Sequence, residues 1–281
     1  KNNLLKQHAK SFYWASFFLS KEIFQKSSAL YNFCRTLDDI VDDTKELDIK
    51  KENFFRFKKD FFNQNDNDPI VKEMWSITKS ENISNNVVKD LFDGIEIDLN
   101  EKVRIKSKKE LLIYSYRVAG TVGLMMSKIL KVKNKEAFKG AIDLGIAMQL
   151  TNIARDVIED KKLDRQYINS DFQSISKTVK ESEIFYQKSF NSLSSIPLNS
   201  RFSVIVARRV YKKIGDYILK QQNIDNYNKI KKIYVPNLRK LIETFLSIFD
   251  FIKLLFVKKI NYNNHENHEI LAQEINFDER V

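Results

Sequence analysis

Apolar residues return every three or four positions along most of this chain, the spacing that gathers them on one face of an α-helix. The pattern predicts helices over 4–18, 22–43, 48–63, 68–79, 84–99, 108–130, 134–160, 171–194, 199–222 and 236–259. Two polar stretches, 63–69 and 100–109, interrupt it and read as loops. From residue 261 the chain turns polar and rich in Asn and Glu, so a frayed or disordered tail is expected there. No composition shift marks a second domain. The expected organisation is therefore one all-α domain over 1–260 and a tail over 261–281. No run of 18 apolar residues occurs, so no membrane span is expected, and the opening Lys1-Asn2-Asn3-Leu4 does not read as a secretion signal.

Composition narrows this picture. With 6 Gly and 3 Pro in 281 residues, the chain has too few turn formers for a β-sandwich or barrel. Its one cysteine, Cys34, excludes an intrachain disulfide and a multi-thiolate metal site. The net charge of +11 suits nucleic acid or an anionic membrane surface. Nucleic acid is disfavoured, because only 11 of the 48 basic residues are Arg, the side chain favoured for forked recognition of phosphates and bases. Lys, Asn, Ile and Phe are abundant together, as an AT-rich coding sequence would produce, and this accounts for much of the charge.

Two acidic clusters carry the candidate chemistry. In Asp38-Asp39-Ile40-Val41-Asp42-Asp43, Asp38 and Asp42 share one helix face, as do Asp39 and Asp43. Like charges at this spacing destabilise a helix, so something cationic should compensate. In the second cluster Asn152, Asp156 and Asp160 lie at i, i+4 and i+8, rising ~6 Å per step. One such cluster would read as a solvated face. Two of them amid apolar residues suit hard divalent cations such as Mg²⁺, which takes carboxylates together with substrate phosphates. Two carboxylate-bearing helices facing one another can hold metals that grip a diphosphate.

Tyr31 and Arg35 fall in register with the first cluster. Arg35 can fork onto a diphosphate or form an intrahelical salt bridge to Asp38 or Asp39, and both readings stand. Arg155, beside Asp156, is equally open. Gly120 and Gly123 interrupt a helical pattern at a cost of ~1 kcal/mol each relative to Ala. With Gly145, Ala147 and Ala154 they mark either tight helix contacts or the wall of an apolar tunnel. The stretch 238–260 reads as a basic amphipathic helix that closes the bundle or lies on a membrane surface. His265 and His268, in the polar tail, read as chance rather than as a metal site.

Several stretches resemble the squalene/phytoene synthase family, which joins two prenyl diphosphates head to head. They are ALYNFCRTLDDIVDD at 29–43, YSYRVAGTVGLMM at 114–126 and AMQLTNIARDVIEDKKLDRQYI at 147–168, with ARRVYKKI at 207–214 and YVPNLRKL at 234–241 as weaker matches. AKSFYWAS at 9–16 looks like the family's entry helix, with Ser11 at its Ser position. The wording is most like that of bacterial phytoene synthases. The resemblance implies an isoprenoid synthase helical bundle around a central cavity. It implies that Asp38, Asp42, Asn152, Asp156 and Asp160 bind Mg²⁺, with Mn²⁺ as a substitute, and that Ser11, Tyr31, Arg35, Gln149, Arg155 and Tyr114 line the substrate site. Tyr211 matches a tyrosine near the diphosphates, and Arg165 and Tyr167 match the Arg-x-Tyr that closes the second motif.

The implied reaction condenses two geranylgeranyl diphosphates to phytoene without NADPH. The implied setting is cytoplasmic or peripheral to a membrane, with other carotenoid-pathway enzymes as partners and no nucleic acid. Departures from the family pattern are Leu163-Asp164 in place of Arg-Gly, Asn169 in place of Pro, and Lys231 and Lys232 in place of Arg residues. Head-to-tail prenyltransferases and terpene cyclases have a different second motif. Non-catalytic assembly factors would lack acids that this chain keeps. The alternative within the family is a dehydrosqualene or squalene synthase acting on farnesyl diphosphate.

Overall fold

A computed structural model describes residues 14–230, 232–257, 262 and 266–281. The helices are α1 (Lys21–Asp42), α2 (Leu47–Phe62), α3 (Pro69–Ser80), α4 (Asn85–Ile95), α5 (Lys108–Ser115), α6 (Thr121–Ile129), α7 (Lys135–Arg155), α8 (Val157–Lys162), α9 (Phe172–Ser189), α10 (Leu198–Leu219), α11 (Ile224–Lys229), α12 (Asn237–Leu255) and α13 (Glu266–Ala272). Helix starts follow from capping chemistry. Ser20 accepts from the Ile23 amide, Asp68 precedes Pro69 and accepts from Ile70 and Val71, and Asn134 and Asp171 cap α7 and α9. Both predicted loops are present, and helix 4–18 lies almost wholly outside the described residues.

The bundle is built around α7. Helices α6, α9 and α10 pack along it, and its apolar residues are buried on nearly all sides. A layer of Phe33, Phe54, Phe57, Phe61 and Phe92 fills the space between α1, α2 and α4. Small residues let α6 approach α7: an added Cβ at Gly123 would lie 2.2 Å from the Ala141 carbonyl oxygen, and one at Gly145 2.2 Å from that of Ala119. Both readings of these glycines hold, because Gly123 and Gly145 also line the central cavity.

The helical pattern is broken where the site forms. The predicted helix 108–130 contains a π-helical turn, Tyr116–Gly120, a distortion frequent at functional sites. The predicted helix 134–160 breaks at Asp156, which leaves helical geometry at φ −106°, ψ 16°. Its amide still bonds to the Asn152 carbonyl, and the Asp160 amide to its own, so the chain bends without losing the ladder. A two-residue parallel bridge, β1 (Val103–Arg104) with β2 (Arg165–Gln166), ties the loop after α4 to the loop after α8. Helical periodicity carries no signal for so short a pairing.

The expectation of a disordered tail is corrected. Residues 266–281 fold back on the bundle, burying Leu271 and Ile275. His268 bonds through Nε2 to buried Asp143 of α7, and Tyr262 donates to the same carboxylate. Arg280 pairs with Asp90, 3.0 Å from Nε to Oδ2. Few apolar residues anchor this tail, but they meet buried acids on the core. His268 is thus a structural partner of Asp143; His265 lies outside the described residues.

Candidate functional site

Helices α1 and α7 each carry a cavity-lining stretch followed by acids at their C-terminal ends. On α1 Leu30, Tyr31 and Cys34 line an elongated cavity of about 320 Å³, and Asp38 and Asp42 follow within two turns. On α7 Leu144, Met148, Gln149 and Asn152 line it, with Asp156 and Asp160 beyond. The remaining wall is mostly apolar, from Val118, Val122, Met126, Leu193 and Val204. Tyr31, Gln149, Asn152 and Tyr211 form its polar end, where the Tyr211 hydroxyl donates to Asn152 Oδ1 at 3.1 Å. Such a space takes a long apolar group with a charged head. The heads of both helices are their C-termini, which carry partial negative charge and add to the acids in favouring cations.

Asp98 couples the two clusters. It sits in a 3₁₀ turn, Glu96–Leu99, and accepts from Tyr114 (2.8 Å) and Tyr167 (2.6 Å), whose rings stack. Arg165 spans the gap, with Nη1 2.7 Å from Asp42 Oδ1 and Nη2 3.5 Å from the Asp98 carbonyl. The β-bridge holds Arg165 and Tyr167 in these positions. Asp164 adopts φ 55°, the left-handed region that glycine prefers and Asp tolerates. It stands where the resembled family has Gly, so the departure keeps the turn.

Crowding decides the electrostatics. Asp38 has an open side to solvent yet is hemmed in by protein within the concave cleft. Burial against the cleft walls, with Asp42 adding repulsion, pushes its carboxyl up to about 7. Burial, with Asp156 beside it, pushes Asp160 up to about 7 as well. Asp98 is raised by burial, against the opposing pull of Arg165 and the two tyrosine hydroxyls. Burial and Asp98 together push the Tyr114 phenol well above the ordinary tyrosine range.

The arginines are divided between these acids. Arg35 takes the intrahelical option, 2.6 Å from Asp39, and its Nε is buried without a partner. Arg155 forks onto Asp156, 2.7 Å from Nε to Oδ1. Each sequence-predicted residue is therefore at this cleft or its cavity, except Ser11, which lies outside the described residues. Asp98 was not singled out from sequence, since a lone acid in EIDLN has no spacing partner.

The donor set fits a hard cation. It is all oxygen, two of its carboxylates are raised by mutual crowding, and an unpartnered guanidinium nitrogen lies alongside for an anion. Among the described residues no group of three or more His, Cys, Asp or Glu side chains converges closely enough to hold a metal alone. Mg²⁺ bound there needs oxygens from a substrate phosphate.

Comparisons with known proteins bear on the same residues. Residues 5–174 match the family described as squalene/phytoene synthase. The chain is 29% identical to the chloroplastic phytoene synthase of Daucus carota over 268 residues, 84% of this chain and 66% of that protein. It is 27% identical to the 15-cis-phytoene synthase of Pantoea ananas over 240 residues, 74% of this chain and 77% of that one. A crystal structure of a dehydrosqualene synthase in complex with ligand superposes with a TM-score of 0.77 at 27% identity, covering 89% of this chain and 94% of that one.

Proposed function

Because the chain belongs to the squalene/phytoene synthase family, we propose that it condenses two geranylgeranyl diphosphates head to head to phytoene. The observation that carries this reading is the apolar cavity whose polar end meets both acidic clusters. Relatives named phytoene synthase in plants and bacteria support the choice of product.

In this reading Asp38, Asp42, Asn152, Asp156 and Asp160 hold Mg²⁺, with Mn²⁺ as a substitute. Bound metal neutralises charge on the departing diphosphate. Arg35 offers its free Nε, and Arg155 and Arg165 turn from Asp156 and Asp42 to fork onto diphosphate oxygens. Departure of the first diphosphate leaves an allylic cation. The double bond of the second substrate attacks it, giving the cyclopropyl intermediate prephytoene diphosphate. That intermediate loses its diphosphate in turn, rearranges and loses a proton. The apolar wall keeps water from the cations. Tyr114, held as a donor to Asp98 and with its phenol pushed far up, is a poor base; the released diphosphate takes the proton. Tyr114 and Tyr167 instead position Asp98 between the clusters.

A second reading, dehydrosqualene synthesis from farnesyl diphosphate, is favoured by the likeness to the dehydrosqualene synthase structure. The two differ in the length of chain the cavity accepts and agree on the site. Diphosphate release from geranylgeranyl diphosphate tests the site. Release is expected with Mg²⁺ and is expected to stop with EDTA while the melting temperature holds. Release that persists in excess chelator contradicts the metal assignment.

A further inference from the structure

Helix α12 closes the bundle with its polar side. Lys240, Glu243 and Ser247 are buried, and Arg209 of α10 bridges Glu243 at 2.9 Å and Asp250 at 2.7 Å. The outward side is apolar, with Leu238, Leu241, Phe245, Phe249, Ile252 and Phe256 between 46% and 76% exposed. A surface helix ordinarily presents the reverse, and a continuous exposed apolar stripe marks an interaction surface. The stripe extends to Phe17 and Phe18, 65% and 39% exposed. Trp14 donates to Thr244 Oγ1 at 2.9 Å, and Phe18 meets Phe202 edge-on, holding this segment against α12.

Charge and the neighbouring cavity select what covers the stripe. Both acids of α12 face the protein on Arg209, while Lys232 before the helix and Lys253 near its end are exposed. A second copy docked face to face would oppose these lysines to one another, whereas an anionic bilayer neutralises them. The 14–19 segment also has two sides: Ala15, Ser16 and Leu19 line the cavity, and Phe17 and Phe18 stand outside beside the stripe. A ligand apolar enough for that cavity partitions into lipid rather than water. Among the described residues no helix is long and apolar enough to cross a membrane, so the contact is one that lies on the surface.

We propose that the outer face of α12, with Phe17 and Phe18, docks on the interface of an anionic bilayer, placing the 14–19 segment between lipid and cavity. The docking is independent of the reaction proposed above; only the use of the segment as a passage rests on it. The test is sedimentation of the full chain, without substrate, with vesicles of phosphatidylcholine alone or mixed with phosphatidylglycerol. Binding to the mixed vesicles is expected, weakened but not abolished by salt. The double variant Phe245→Ser/Phe249→Ser is expected to lower partitioning at least about tenfold with an unchanged melting temperature, since both rings are exposed. Failure of the full chain to bind mixed vesicles, or equal binding by the double variant, overturns the proposal. So does a dimer in sedimentation velocity without lipid that the double variant dissolves, which assigns the face to a second copy. No substrate is present, so none of these outcomes bears on the chemistry.

Discussion

Asp38→Asn is expected to lower turnover by about two to three orders of magnitude and at the same time to raise the melting temperature of the metal-free protein. The two effects share one cause. Asp38 is crowded by the cleft and by Asp42, and its carboxyl rises from the ordinary 3.8 to about 7. Between these values the folded protein binds more protons here than the unfolded chain, so stability falls as pH rises through that range. Asn cannot ionise, so its advantage grows across the same window and is absent below it. Asp42 and Asp156 behave differently, since Arg165 and Arg155 already neutralise them. Removing either acid strips a partner from a half-buried arginine, and no stabilisation is expected there. Thermal melts of Asp38→Asn and Asp156→Asn across pH, with EDTA, check the distinction. A lower melting temperature for Asp38→Asn at neutral pH contradicts it.

Gly145→Ala is expected to destabilise the protein by about 3 kcal/mol, the upper end of what overpacking a rigid contact costs. The new Cβ would lie 2.2 Å from the Ala119 carbonyl oxygen and 2.9 Å from Gly120 Cα, both backbone atoms that no rotamer change can move. The contact is reciprocal, with Gly123 lying under the Ala141 carbonyl one step along the same pair of helices. Relief requires α6 and the π-helical turn to shift away from α7. Val118, Ala119 and Val122 would then leave the cavity wall, so weaker substrate binding should accompany the lost stability. Urea denaturation and KM for the allylic substrate measure both. Gly215→Ala is the control: its Cβ would meet only the Val179 Cγ1, at 3.0 Å, and a flexible contact yields cheaply.

The helical frame was legible because periodicity reports which face is buried, and nearly every element rests on burying one face. The acid pairs were legible because i, i+4 carboxylates conflict with helix stability unless something binds them. What escaped depends on contacts between distant segments. Asp98 gains its role from Tyr114, Tyr167 and Arg165, which a β-bridge and a 3₁₀ turn assemble. The bend at Asp156 preserves its hydrogen-bond ladder and leaves no trace in the apolar pattern. The tail looked soluble because its anchors, His268 and Arg280, are polar and pair with buried Asp143 and Asp90. Helix α12 read simply as amphipathic, and only Arg209 on α10 shows which of its faces turns inward.

Product analysis tests the proposed reaction most directly. Purified protein is given Mg²⁺ and either geranylgeranyl or farnesyl diphosphate, without NADPH, and the hydrocarbon is identified by chromatography and absorbance. Phytoene from the twenty-carbon substrate, with its conjugated triene spectrum, is the expected result. A hydrocarbon formed only from farnesyl diphosphate, or a requirement for NADPH with no central double bond in the product, would contradict it.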